Sequence, residues 1–141
     1  GSEMCIRDRC NWGGSRIVGV TKDLGQTWEK HPTNRTAQLK EPVCQGSLLA
    51  VDGVPGAGRV VLFSNPNTTS GRSHMTLKAS TNDAGSWPED KWLLYDARKG
   101  WGYSCLAPVD KNHVGVLYES QGALNFLKIP YKDVLNAKNA R

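Results

Sequence analysis

The stretch TKDLGQTW, Thr21 to Trp28, returns about sixty residues further on as STNDAGSW, Ser80 to Trp87, and internal repetition on that scale points to propeller or solenoid folds. Each copy offers a hydroxyl, an Asp, a Gly, a second hydroxyl and a Trp. Asp23 is suited to accept hydrogen bonds from amides two and three residues on, and Gly25 to take a positive φ. Trp28 then restarts an extended segment with a large apolar anchor. In the second copy Asp83, Gly85, Ser86 and Trp87 take these places, with one residue fewer between Gly and Trp. A turn copied together with its Asp and its Trp is expected to be structural, because each repeat is one supersecondary unit.

The rest of the chain fits short strands joined by turns. Its 141 residues include 15 Gly and 7 Pro, many for the length. Extended segments are expected at SRIVGV, GSLLAVD, RVVLFS, HMTLKAS, KWLLYD, GYSCLAPV, HVGVLYES and ALNFLKIP, and the tail YKDVLNAKNA is expected to be helical. Strands this evenly spaced, in groups of about four, suit propeller blades better than a sandwich. No apolar run approaches the ~18 residues of a membrane-spanning helix. The start carries MCIRDR at residues 4–9, which resembles translated sequencing adapter, and residues 1–8 are set aside as a non-native or disordered leader.

A net charge of +5 suits an anionic partner. The Lys and Arg residues are scattered without interleaved aromatics, which argues against nucleic acid. Cys5, Cys10, Cys44 and Cys105 show no metal-ligand spacing, and Cys44 and Cys105 lie in apolar segments as expected buried thiols. His31, His74 and His113 have no partner pattern, and no metal is expected.

The two turns resemble the Asp-box of sialidases, [ST]-x-D-x-G-x-[ST]-W, with the second copy degenerate. Three further stretches are similar to the same family. RCNWGGSR resembles the segment around the second arginine of the carboxylate-binding triad, with Cys10 and Trp12 departing from it. SNPNTTSGRSHMTLKAS resembles the segment of the third arginine, and GYSCLAPVDKNHVGVLYES that of the nucleophilic tyrosine and a later glutamate. EPVCQGSLL is similar to bacterial-type members. The matches run in family order from about Arg9 to the C-terminus.

The resemblance implies an all-β fold, part of a six-bladed β-propeller of two to three blades with a short C-terminal helix. It assigns Arg72 and Arg9 to the substrate carboxylate, Tyr103 to nucleophilic attack, and Glu119 to holding a triad arginine. Planar guanidinium forks match a carboxylate. A neutral phenol also approaches a carbon already bearing a carboxylate more easily than a carboxylate nucleophile would, provided a base takes its proton. The implied partner is a sialylated glycoconjugate, with no cofactor, and the family suggests a secreted, periplasmic or lysosomal setting.

Three groups of the family pattern are absent from these residues: the first arginine, the acid/base aspartate and the glutamate that activates the tyrosine. Residues 9–141 are therefore expected to be the C-terminal portion of a catalytic domain. Two other functions stay open, a non-catalytic Asp-box propeller binding glycan or protein, and a propeller hydrolase acting on another acidic sugar.

Overall fold

Four consecutive apolar residues, Val60 to Phe63, are all buried, and two separate clusters bury them. They lie in strand β5 (Gly58–Pro66), where successive side chains point to opposite faces. Val60 and Leu62 enter the larger core, while Val61 and Phe63 enter a second one with Val18, Leu39 and Trp87. A central strand covered on both faces is what makes such an unbroken apolar run stable.

The computed structural model describes residues 3–5 and 14–137 of the chain. Three antiparallel sheets and one short helix make it nearly all-β, in agreement with the expected fold class. The first sheet has the order β1 (Glu3–Cys5), β2 (Gly19–Thr21), β3 (Glu29–Lys30). Strand β1 falls in the leader that the sequence argument leaves out of the fold. The second sheet is a four-stranded meander of β4 (Ser47–Val54), β5, β6 (Met75–Ser80) and β7 (Trp92–Asp96). The third places β9 (His113–Ser120) between β8 (Ser104–Asp110) and β10 (Ala123–Pro130). Groups of four are thus realised in the second sheet, and the third has one strand fewer.

The larger core joins the second and third sheets. Leu62, Leu77 and Ala79 meet Leu106, Val114, Val116 and Tyr118. Helix α1 (Tyr131–Leu135) closes one side by burying Tyr131 and Val134 in the same core. Tyr118 and Tyr131 are therefore packing residues, and the Tyr118 hydroxyl donates to Asp96 at 3.1 Å.

Lys78 occupies the opposite face of β6 and is fully buried. Its Nζ donates to the Gln38 carbonyl at 2.7 Å and to Asn67 Oδ1 at 2.9 Å, and lies 4.1 Å from the centre of the Trp92 ring. This pins a 3-10 turn (Ala37–Leu39) to the second sheet. Burial, with Lys40 and Arg16 adding repulsion, pushes the Lys78 ammonium down to about 7.

The repeated turns are built alike, but not in the register expected from the sequence. In the first, Asp23 Oδ1 accepts from the Thr21 hydroxyl at 2.8 Å and the Thr27 amide at 2.8 Å, and Oδ2 from the Thr27 hydroxyl at 2.6 Å. The Thr27 bonds, more than that of Thr21, hold the Asp23 carboxyl down at about 2. In the second turn the corresponding acceptor is Asn82, which takes the Ser80 hydroxyl at 2.7 Å and the Ser86 amide at 3.0 Å. Asp83 instead points outward to Arg59 Nε at 2.7 Å. The copies thus have equal length, Thr21 matching Ser80 and Trp28 matching Trp87. Ala84, at φ 60°, takes the place of Gly25, at φ 92°.

The two Trp residues differ in cover. Trp87 is 1% exposed and packs edge-on to Phe63, whereas Trp28 is 48% exposed. Among the cysteines Cys44 is buried as expected, but Cys105 is exposed, because it lies on the outward face of β8.

Candidate functional site

Arg72 lies just before β6, and the second repeated turn begins where β6 ends, so the length of that strand separates them. Its guanidinium carbon is 5.4 Å from the centre of the Tyr103 ring. Nη1 donates to the Trp101 carbonyl at 3.0 Å and Nη2 to the Val43 carbonyl at 2.8 Å. Two of its five N–H groups are thus spent on backbone, and the remaining donors are available. Among the described residues no carboxylate pairs with Arg72.

Tyr103 stands immediately before β8 and is 41% exposed. The Glu119 amide donates to the Tyr103 carbonyl at 2.9 Å, and the Gly102 amide to the Glu119 carbonyl at 3.3 Å. Tyr103 and Glu119 therefore lie opposite one another, on the same face of the third sheet. The Glu119 side chain is half-buried and has no ion-pair partner among the described residues. Arg72, Tyr103 and Glu119 gather at one end of the sheets. Arg9 lies outside the described residues. His74, two residues after Arg72, is exposed and shares a 2.8 Å hydrogen bond with Ser73.

The residues after Tyr103 are firmly anchored. The Ser104 amide donates to Gln45 Oε1 at 3.0 Å, and its hydroxyl meets Ser64 Oγ at 3.0 Å. Ser64 Oγ in turn shares a hydrogen bond of 2.8 Å with the Tyr95 hydroxyl. The segment holding Val43 is braced from beneath by a buried ion pair between Arg16 and Glu41. Glu41 accepts from the Cys44 amide, and Arg16 Nη2 donates to the Cys44 carbonyl at 3.0 Å. The Arg16 guanidinium also lies 5.0 Å from the Phe63 ring centre, linking this brace to the Trp87 cluster. The Cys44 thiol, 3.2 Å from the Gly102 carbonyl, is pushed up to about 11, chiefly by burial.

Val43, Trp101, Arg16, Glu41 and Gln45 were not singled out from the sequence. Val43 and Trp101 act through backbone carbonyls, which leave no trace in residue type. For Arg16 and Glu41 a signal exists, since each is a charge in an otherwise small or apolar stretch, GGSR and EPVC.

Chemically, the arrangement presents an uncompensated guanidinium over an exposed phenol, with a carboxylate on the same face. That set can hold an anion and offer it a nucleophile.

Over 136 residues the chain is 46% identical to a sialidase of Bacteroides fragilis, a match covering 94% of this chain and 25% of that protein. A sialidase of Clostridium perfringens is 31% identical over 143 residues, covering 94% of this chain and 37% of the relative. In structure the chain matches a Hadza microbial sialidase with a TM-score of 0.80 at 46% identity, over 88% of this chain and 24% of that one. The chain thus spans between a quarter and about two fifths of these relatives. No protein-family model matches it.

Proposed function

Because the chain is homologous to sialidases over 94% of its length, we propose that residues 9–141 are the C-terminal portion of a retaining exo-α-sialidase propeller, following a non-native leader of residues 1–8. The observation that carries this reading is Arg72, which lies 5.4 Å from the Tyr103 ring with no carboxylate paired to it among the described residues. A non-catalytic propeller gives no reason for such a group to gather at one end of the sheets.

In this mechanism Arg72 and Arg9 grip the carboxylate on the anomeric carbon of a terminal sialic acid. The Tyr103 hydroxyl oxygen attacks that carbon and the glycosidic C–O bond breaks. The leaving oxygen takes a proton from an acid supplied outside these residues, and a base there accepts the phenol proton. Water then displaces Tyr103, so that two inversions return the original configuration. Glu119 holds the guanidinium of a triad arginine other than Arg72. The substrate is a sialylated glycoconjugate, and no step needs a cofactor.

The test places this chain in the Bacteroides fragilis sialidase in exchange for the matching 136-residue segment. The chimera is treated with a fluorinated sialosyl fluoride, which forms the covalent intermediate faster than water removes it. Peptide mass spectrometry should find the adduct on Tyr103. An adduct on another residue, or an active chimera unaffected by Tyr103→Phe, would remove Tyr103 as nucleophile.

A further inference from the structure

Two glycines flank Trp101, and neither has room for a side chain. A Cβ on Gly100 would lie 2.6 Å from Ser120 Cα, and one on Gly102 2.8 Å from Pro66 Cγ and 3.3 Å from Arg72 Cβ. The backbone between them is tied down on both sides. The Gly100 amide donates to the Arg72 carbonyl at 3.0 Å, the Gly102 amide to the Glu119 carbonyl at 3.3 Å, and the Trp101 carbonyl receives Arg72 Nη1. The loop is therefore held against the site, and the Trp101 side chain it carries is 66% exposed.

A single exposed aromatic is ordinary on a protein surface. Trp101 differs in that the same arginine proposed to bind the substrate fixes its backbone. On the other side of that arginine, the Val43 carbonyl receives Nη2 and the Val43 side chain is also exposed. The guanidinium is thus bracketed by two residues that present apolar groups to solvent. A charged centre with apolar flanks suits an oligosaccharide, whose acidic sugar needs a cation and whose neutral sugar has an apolar C–H face. An indole on a held backbone loses little freedom when a ring stacks on it.

We propose that Trp101 forms a subsite for the neutral pyranose linked to the sialic acid, stacking on its C–H face while Arg72 holds the acid. The proposal rests on the assignment of Arg72 to the sialic acid carboxylate, and the experiment separates the two. Saturation-transfer NMR is recorded on the 141-residue chain with 3′-sialyllactose and, separately, with N-acetylneuraminic acid.

Saturation is expected to reach the galactose protons of sialyllactose. Trp101→Ala should weaken sialyllactose binding on the order of three- to tenfold, the weight of one aromatic contact. It should leave the free acid unaffected, and Trp101→Phe should restore part of the loss. Galactose signals that are absent in the unaltered chain, or equally strong in Trp101→Ala, overturn the subsite. If Trp101→Ala also lowers the melting temperature, Trp101→Phe decides: a galactose signal that does not return with the fold overturns it as well. Arg72→Ala should abolish the sialic acid signals. Their survival refutes the carboxylate assignment, while the galactose result still judges Trp101.

Discussion

Asn82 Oδ1 accepts a hydrogen bond from the Ser86 amide at 3.0 Å, in the place where Asp23 Oδ1 accepts from the Thr27 amide at 2.8 Å. Each acceptor also takes the hydroxyl two residues before it, Ser80 at 2.7 Å and Thr21 at 2.8 Å. One turn uses an amide and the other a carboxylate, so the turn requires an oxygen at this position and not a charge. The Asn82 Nδ2 group further donates to the Ser86 hydroxyl at 3.0 Å, where Asp23 Oδ2 accepts from the Thr27 hydroxyl. A hydroxyl serves both, because it can donate or accept.

Asn82→Ala should therefore destabilise the chain by about 1 kcal/mol, the net worth of a typical lost hydrogen-bonding group. Asp83→Gly, which accepts φ 53° without strain, removes the exposed pair with Arg59 and should cost less. Asn82→Asp should stay close to the unaltered chain. Urea unfolding of the three variants measures this. A larger loss from Asp83→Gly than from Asn82→Ala would return Asp83 to the turn.

The strands were legible because alternation and apolar runs record which faces are covered, as Val60 to Phe63 do. The register of the second turn was not. The motif puts Gly85 in the place of the positive-φ Gly25, yet Ala84 adopts φ 60° and Asp83 φ 53°, conformations that glycine usually marks. Cys105 sits in an apolar segment, but β8 turns it outward and nothing described covers it. At the site, Arg72 and Tyr103 were visible as motif residues. Their supports were not, because Val43 and Trp101 contribute carbonyls and the Arg16–Glu41 pair depends on distant segments meeting.

Lys78 predicts a pH dependence of stability. Its ammonium is pushed down to about 7 in the fold, against an ordinary value of 10.5. Between those values the unfolded chain binds more protons at this residue than the native one, so its contribution makes stability rise with pH from about 7 to 10.5. The neutral amine can still donate to the Gln38 carbonyl and Asn67. Urea unfolding at pH 7 and pH 9.5, with Lys78→Met as the control, should show an alkaline gain that is smaller in the variant. An equal gain in both would assign it to other groups.

Gly102 predicts a coupling between loop backbone and Arg72. It combines φ 79° with walls at Pro66, Cys44 and Arg72. Gly102→Ala introduces both backbone strain and overpacking, each about 1–3 kcal/mol. The Arg72 Cβ, 3.3 Å from the new methyl, has to move with it. The variant should lose melting temperature and weaken binding of N-acetylneuraminic acid. Gly122→Ala, which also has positive φ but open space around it, should cost stability without touching binding. Equal effects of the two variants on binding would separate the loop from the site.

The chain alone is expected not to turn over a sialoside at a rate approaching that of an intact enzyme. No described residue hydrogen-bonds the Tyr103 hydroxyl, so nothing among them is poised to take its proton. Glu119 shares its face, but the two are joined through backbone bonds. The loss of general acid–base assistance is worth roughly 10²–10⁴-fold by itself. Groups that act as a unit fail together, so the remaining Arg72 and Tyr103 do not retain a proportionate share of the activity. Purified chain assayed with a fluorogenic sialoside should give no turnover above that of Tyr103→Phe. Turnover near that of an intact sialidase, abolished by Tyr103→Phe, would mean that these 141 residues supply an acid and a base of their own. Turnover that Tyr103→Phe leaves untouched would move the nucleophile elsewhere.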